Sequence, residues 1–242
     1  MSPKRRVALM TGIFAAVGIG VSVAIIAAGG GFTADGPSII DPPKVEDIWE
    51  VGTNLEDRST LEYSLTARGP SSSLESATLS MIFEEAGENW DVKFTIVNGT
   101  AQPVDQTVVM SKQLTKEGQL DENFQKYFEP IQTSVFAVRD MAYGGTDKYL
   151  VVGAPWDTIF VGSSTITVRV TGMETIQTQA GSFQAFVLSY KLDEETSRIW
   201  MVSYMPLPVK AEVYDADDIL QYQFELEKVS GVQFKTSADG AL

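Results

Sequence analysis

The sequence of 242 residues contains neither cysteine nor histidine. Without cysteine there can be no disulfide, no thiol nucleophile and no lipid-modified cysteine. Without histidine the chain cannot build a Ser-His-Asp or Cys-His catalytic set, the usual zinc sites or a histidine-based pH switch. The two absences exclude several common classes of enzyme and metalloprotein, and we expect no cofactor and no metal.

Basic residues are also few. The chain has 18 Lys and Arg against 32 Asp and Glu, which gives a formal net charge of −14. Every acidic residue follows residue 28. Nucleic acids and anionic membrane surfaces both require a basic face, so the sequence predicts no nucleic-acid partner. A strongly acidic surface is otherwise typical of proteins that stay soluble outside the cell.

One long run lacks charge altogether. Val7–Ala28 covers 22 residues without a charged side chain, and as a helix it would span about 33 Å, enough to cross a bilayer core of about 30 Å. Lys4–Arg6 precede it, so the positive-inside rule predicts a cytoplasmic stub at residues 1–6 and an exported remainder. The alternative is a signal peptide cleaved near Ala27–Gly29, although an apolar core of such a peptide is usually only about 7–15 residues long.

Small residues recur along one row of this predicted anchor. The row, in which members are four residues apart, consists of Ala8, Gly12, Ala16, Gly20, Ala24 and Ala28. Because a row with this spacing winds around a helix, only the central members Gly12, Ala16, Gly20 and Ala24 can face one partner. The pattern predicts a homo-oligomer or a contact with a larger membrane complex. An Ala-rich membrane helix without a partner is the alternative.

The remaining chain divides by composition. Residues 29–43 contain Gly29–Gly31 and three prolines, a composition typical of an extended linker. Residues 44–235 are long enough for one domain with a sizeable core, and residues 236–242 are typical of a frayed tail. We therefore expect a single exported domain behind a linker and an anchor.

Most of this domain alternates with period two, which is typical of strands with one wet face. The predicted strands are Thr60–Ala67, Ser76–Glu84, Trp90–Val97, Ser164–Val170, Phe183–Tyr190, Ile199–Met205, Val209–Tyr214 and Leu220–Glu227. Pro206 and Pro208 lie between the sixth and seventh of these strands. They are expected either to interrupt the strand there or to place it at the edge of the sheet.

A single segment follows helical spacing instead. Its apolar residues recur at steps of three and four, namely Leu120, Phe124, Tyr127, Phe128 and Ile131. The spacing predicts an amphipathic helix with Asp121 as its N-cap, interrupted or kinked at Pro130 and continuing to about Met141. The expected fold class is thus mainly β with one packed helix: a curved antiparallel sheet or half-barrel, preceded by one transmembrane helix.

Three segments are candidate sites. Asp215, Asp217 and Asp218 lie between two predicted strands, and a solvated hairpin turn is favoured over a calcium loop because the glycine-pivoted ligand pattern is missing. Val151–Gly162 is favoured as a strand pair with a bulge over a binding loop. Asn98 begins the single N-x-[ST] sequence, which indicates either a glycosylation acceptor or only a turn.

The second half of the chain shows a family pattern. Thr178–Val229 contains a glycine turn, a strand, a Trp-bearing strand, a proline corner and a final hairpin, and the residues that carry the pattern are Ala180, Gly181, Phe183, Trp200, Pro206 and Pro208. This pattern resembles a family of uncharacterised exported bacterial and archaeal proteins, and more distantly the lipoprotein-carrier (LolA/LolB-like) half-barrels. The resemblance implies a curved sheet that wraps a helix around an apolar cavity, and it supplies no catalytic residue. Shuttling between membranes is not expected, because this chain has its own span.

Two functions from different classes follow. The first is a non-catalytic, membrane-anchored accessory or interaction domain of the cell envelope, outside the cytoplasm. The alternative is a half-barrel that binds a lipid or another apolar ligand. No pair of carboxylates is singled out by spacing, so no enzyme is expected. The two functions assign opposite roles, a packed core or a cavity lining, to the same residues: Phe124, Tyr127, Phe128, Trp156 and Trp200.

Overall fold

The computed structural model describes residues 44–142, 147–161 and 164–233. The predicted anchor with Gly12, Ala16, Gly20 and Ala24, the linker and the tail 236–242 lie outside these residues. Within the described ranges, none of the helices has the length and hydropathy that crossing a membrane requires.

The described chain is mainly β. After a short 3-10 turn at Val45–Asp47, the elements are β1 Leu55–Arg68, β2 Ser73–Ala86, β3 Asn89–Asn98, β4 Val104–Ser111, α1 Glu122–Gln132, α2 Ala137–Ala142, β5 Pro155–Val161, β6 Ser164–Thr178, β7 Gly181–Lys191, β8 Thr196–Met201, β9 Lys210–Tyr214 and β10 Leu220–Val232.

The ten strands form one curved, unclosed antiparallel sheet in the order β4-β3-β2-β1-β10-β9-β8-β7-β6-β5. Two meanders join where β1 pairs with β10, and in this pairing Leu65 lies opposite Phe224. Strands β4 and β5 are the two edges. The connection between them carries both helices, so it runs from one edge of the sheet to the other and places α1 against the inner face.

The inner face of the sheet is defined by residues that alternate along β1. Leu61, Tyr63 and Leu65 are buried, whereas Ser64 between them is only partly buried. The same alternation on β10 buries Phe224 and neighbouring inner residues. The predicted period-two pattern and the expected antiparallel sheet are therefore confirmed.

The helical segment was expected to be interrupted or kinked at Pro130 and to continue to about Met141. The interruption is found, but it lies at residues 133–136 and not at Pro130. There are two helices, and Pro130 lies inside α1, which continues to Gln132. Proline has no N–H, so the carbonyl of Lys126 loses its helical donor. The Ser72 hydroxyl donates to that carbonyl instead. This contact from the loop before β2 explains why the proline is accommodated.

At the end of α1, which lies at Gln132, side-chain hydroxyls donate to the last carbonyls. Thr133 Oγ1 donates to Glu129 O at 3.1 Å, and Ser134 Oγ donates to Pro130 O at 2.5 Å. At the other end Asp121 occupies the N-cap position, but its side chain makes no capping hydrogen bond. The N-cap prediction is thus right in position and wrong in mechanism.

The proline corner also ends a strand earlier than predicted. Strand β8 stops at Met201, not Met205, and β9 begins only at Lys210. The corner is held from across the domain: Gly52 N donates to Pro206 O at 3.0 Å, and the Tyr63 hydroxyl donates to Pro208 O at 3.0 Å. The corner is therefore part of the core and not an open sheet edge.

Candidate functional site

The inner face of β3 and the helical connection form an aromatic cluster, which we call the phenylalanine cluster. Its centre is Phe94 on β3, whose ring centroid lies 5.5 Å from Phe128, 6.2 Å from Phe124 and 6.3 Å from Phe136. Phe124 and Phe128 also meet each other at 6.1 Å. All four rings are at most 2% exposed, so they fill the space between helix and sheet.

Tyr127 lies beside this cluster without joining it. The side chain is partly buried, and the ammonium of Lys126 stands 4.9 Å from its ring centroid. Tyr127 therefore covers the edge of the core, where one side of the ring stays near solvent and near a cation.

A second aromatic pair lies where the chain enters the domain. The rings of Trp49 and Trp156 are 5.7 Å apart and tilted by 43°. Trp49 Nε1 donates to Met205 O at 3.0 Å, and Trp156 Nε1 donates to Tyr149 O at 2.8 Å. Both indoles are thus buried with their N–H groups satisfied, as a stable core requires. Strand β5 does contain a bulge, between Pro155 and Asp157, which agrees with the favoured interpretation of this segment.

Lys148 is a buried cation next to this pair. Its side chain donates to the backbone carbonyl of Trp156. Burial lowers the pKa of the Lys148 ammonium, and the charge of Asp157 partly opposes that shift. The hydrogen bond fastens the segment before β5 to the strand itself, so a structural role accounts for the contact.

Trp200 lies away from both clusters. Strand alternation puts it on the opposite face of β8 from Ile199, and Trp200 Nε1 donates to Glu174 Oε2 at 3.1 Å. The ammonium of Lys210 stands 5.5 Å from its ring centroid. Of the five residues predicted to act together, the structure joins only Phe124 and Phe128, with Tyr127 at their edge, and it puts Trp156 and Trp200 elsewhere.

A groove of about 500 Å³ crosses the outer face of β2, β1, β10 and β9. Its lining is mostly polar and includes Ser64, Thr66, Thr78, Lys210, Gln223 and Glu225. Lys210 Nζ lies 3.4 Å from Glu225 and 3.9 Å from Glu212, so the cation is already paired with carboxylates of the protein. This surface can offer hydrogen bonds, but a paired surface lysine makes a poor nucleophile or base.

The acidic side chains of the turn at Asp215–Asp218 accept backbone hydrogen bonds within that turn and from the neighbouring turn. Asp215 Oδ1 accepts hydrogen bonds from the backbone N–H groups of Asp217 and Ile219, each at 2.9 Å. Asp218 Oδ1 accepts from the N–H groups of Glu194 and Glu195 in the neighbouring turn. In the described part of the chain no group of three acidic side chains is arranged to hold a metal ion. The hairpin-turn interpretation agrees with these contacts.

Sequence reasoning missed several residues of the two clusters. Phe94 could have been found, because it alternates with Val92 and Ile96 along a predicted strand. Phe136 lay within the predicted continuation of the helix to Met141 but was not among the apolar residues named for it. Trp49 carries no such signal, because it lies outside a regular element and is buried by contacts far along the chain. Lys148 likewise gave no signal of burial.

No known family matches this chain by sequence, and no curated protein matches it. Among solved structures, a protein inferred to be a lipoprotein from Parabacteroides distasonis ATCC 8503 matches with 14% identity and a TM-score of 0.38, over 75% of this chain and 99% of its own. A protein inferred to be exported, with a YmcC-like fold, from Bacteroides fragilis NCTC 9343 matches with 11% identity and a TM-score of 0.33, over 76% and 99%.

A TM-score below 0.5 lets neither likeness carry an argument about ligand, partner or mechanism. The two likenesses do not show a relation to the lipoprotein carriers of the LolA/LolB kind, so that part of the sequence resemblance gains no support from them.

Proposed function

We propose that this chain is a membrane-anchored accessory domain of the cell envelope, which lies outside the cytoplasm and works through contacts with other proteins without catalysis. One observation carries the proposal: the inner face of the sheet is filled by the chain's own aromatic side chains. Phe124 and Phe128 are 2% and 0% exposed and pack on Phe94. The domain therefore meets other molecules through its outer face.

The sequence supports the location. Lys4–Arg6 precede the uncharged Val7–Ala28, and all acidic residues follow it. This charge distribution favours a cytoplasmic N-terminus and an exported domain. The linker 29–43, at about 3.3 Å per residue, would keep the domain within roughly 50 Å of the bilayer.

The filled inner face weighs against the alternative of a lipid-binding half-barrel. An apolar ligand at that face would have to displace the rings of Phe124 and Phe128 from Phe94. Losing the burial of one such ring costs about 3–5 kcal/mol. The ligand would have to supply at least that much before any net binding appeared.

Native mass spectrometry of the full chain, extracted from membranes in mild detergent, tests the proposal. The expected spectrum contains the chain bound to a protein, either a second copy or another subunit. After protease releases the domain from its anchor, the domain should carry no lipid. One lipid retained per released domain would favour the half-barrel alternative, and a spectrum of the bare chain would contradict the interaction role.

Protease added outside intact spheroplasts tests the location separately. We expect it to digest the domain, with a cytoplasmic protein in the same cells left intact as the control. A domain that is cut only after the cells are permeabilised would contradict the proposed topology. A mature N-terminus near Gly29 would show that the anchor is cleaved.

A further inference from the structure

The turn between β3 and β4 contains the single N-x-[ST] sequence of the chain, Asn98-Gly99-Thr100. Asn98 is the last residue of β3, and its carbonyl accepts a hydrogen bond from Ala101 N at 3.1 Å. Gly99 has a φ of +59° and its Cα faces open space, since an added Cβ would meet nothing closer than Glu75 O at 3.9 Å. The backbone therefore presents the three residues at the tip of a tight turn.

The side-chain amide of Asn98 is held in a defined orientation. Its Oδ1 accepts the backbone N–H of Glu75 at 2.9 Å. A carboxamide is planar, so fixing Oδ1 on the neighbouring strand directs Nδ2 away from it. Within the described residues Nδ2 has no hydrogen-bond partner. Nδ2 is thus available to react, whereas Oδ1 is held by a hydrogen bond.

The third residue of the sequence is more accessible than Asn98, which is partly buried. Thr100 is exposed, and so are the next three residues, Ala101, Gln102 and Pro103. The hydroxyl of Thr100 makes no hydrogen bond to the described protein. A transferase that recognises the Asn and the Thr together would find Thr100 exposed and Asn98 partly exposed at the end of β3.

We propose that Asn98 is an N-glycosylation site and that its glycan shields the edge strand β4. The donor would be an oligosaccharide linked to a polyprenyl phosphate or diphosphate. Asn98 Nδ2 attacks C1 of the first sugar, and a C–N bond forms as the C1–O bond to the phosphate breaks. The phosphate leaves with the bonding electron pair, and Nδ2 gives up one proton to a base of the transferase.

The position of the site gives the glycan a physical role. Strand β4 is an edge, and its second half is already covered by the chain: Glu117 N donates to Val109 O and Ser111 N donates to Thr115 O, each at 2.8 Å. The first half of β4, with exposed Asp105, has no such cover in the described chain. Asn98 lies at the start of the turn that leads into this half. Uncovered edges invite pairing with other chains, so a bulky sugar there would reduce association.

This inference rests on the proposed export, because such transfer takes place on the exported side of the membrane. The test uses the full chain isolated from membranes of the cells that naturally make it. Trypsin should release the peptide that spans residues 94–112, since it cleaves after Lys93 and Lys112. We expect this peptide to carry the mass of a glycan and to release sugar fragments in the mass spectrometer. A Thr100→Ala variant should lose the added mass completely, and Thr100→Ser should keep it.

Two outcomes would overturn the inference in distinguishable ways. A peptide 94–112 without sugar, from a domain that external protease still digests, would refute glycosylation and leave the proposed location intact. A domain that external protease cannot reach would refute the location as well. The shielding role is tested by light scattering, in which Thr100→Ala should associate faster than the glycosylated protein. Equal rates would refute that role.

Discussion

Phe94 on β3 and Phe128 on α1 meet edge to face, with ring centroids 5.5 Å apart and ring planes at 83°. Both side chains are fully buried. Edge-to-face pairs contribute about 0.5–1.5 kcal/mol beyond their burial, because the positive edge of one ring meets the negative face of the other. This pair links the helical connection to the first half of the sheet, and it is the contact on which docking of α1 depends most directly.

Replacing Phe128 with alanine should therefore behave as a core deletion. We expect the free energy of unfolding to fall by about 3–5 kcal/mol, measured by urea denaturation. Tyr127→Ala is the matched control, since the neighbouring ring is only partly buried and should cost clearly less. Equal small losses for both variants would mean that α1 is not docked on the sheet.

The acidic turns offer a second comparison. Asp218 accepts two backbone N–H groups and has a φ of +57°. Asp218→Ala should lower the free energy of unfolding by about 1–2 kcal/mol, because it removes the acceptor and strains a left-handed backbone. Asp218→Asn should restore most of this loss, since asparagine keeps an acceptor oxygen and tolerates that conformation. Similar stabilities for the two variants would contradict the assigned contact.

In the same turn, Asp217→Asn should be nearly silent in thermal melts. The exposed carboxylate of Asp217 accepts no hydrogen bond in the described chain. Melting of the unmodified protein should likewise be independent of added calcium. A melting temperature that rises with calcium and loses that rise in Asp217→Asn would overturn the hairpin-turn interpretation.

Alkaline pH should destabilise the domain through its buried tyrosines. Burial raises the pKa of Tyr63 far above the ordinary value of 10.0, and burial also raises the pKa of Tyr190 and of Tyr222. Because the folded pKa lies above the unfolded one, this stabilisation is complete below about pH 10 and is lost as the pH rises further. Lys148, whose pKa is lowered, contributes in the opposite sense. We expect a net fall in the free energy of unfolding between about pH 9 and pH 11.

Tyr63→Phe separates the two effects of that hydroxyl. Near neutral pH the variant should lose about 1 kcal/mol, because the hydrogen bond to Pro208 O is gone. Above about pH 10 its stability should fall less steeply than that of the unmodified protein, since one titrating group is missing. Tyr127→Phe is the control for removing a tyrosine hydroxyl near the surface. A slope unchanged by Tyr63→Phe would contradict the assignment.

The anchor prediction concerns residues outside the described chain. If the small-residue row contacts another helix, Gly20→Ile should weaken association of the span in a membrane reporter assay, because a branched side chain prevents close approach. Val21→Ile, one residue further along and off the row, should leave the signal unchanged. Equal signals from both substitutions would mean that the row reflects composition alone.

How much of the fold the sequence can predict depends on how far apart in the chain the residues that form each feature lie. Alternation of apolar residues is local, so the spacing of Leu61, Tyr63 and Leu65 is enough to indicate one buried face of a strand. The helical spacing of Phe124 and Phe128 indicates a buried stripe for the same reason. The turn at Asp215–Asp218 follows from polar residues between two patterned strands. Each of these predictions depends on residues within about ten positions of one another.

Other features depend on partners far along the chain. Ile199, Trp200 and Met201 are all apolar and buried, so alternation could not show that Trp200 lies on the opposite face of β8 from its neighbours, where it donates to Glu174. The sequence predicted an interruption or a kink at Pro130, but α1 continues to Gln132. The hydroxyl of Ser72, distant in sequence, donates a hydrogen bond to the carbonyl that proline leaves without a donor.

By itself, then, the sequence determined the chemistry that is excluded, the strand periods, the amphipathic helix and the charge asymmetry around the uncharged segment Val7–Ala28. Only the tertiary structure decided that β1 pairs with β10, that Trp49 meets Trp156, and that Phe94 packs against Phe128. The physical reason is that periodicity records which side of an element is apolar. The element that covers that side is chosen by packing between distant segments, which no local pattern encodes.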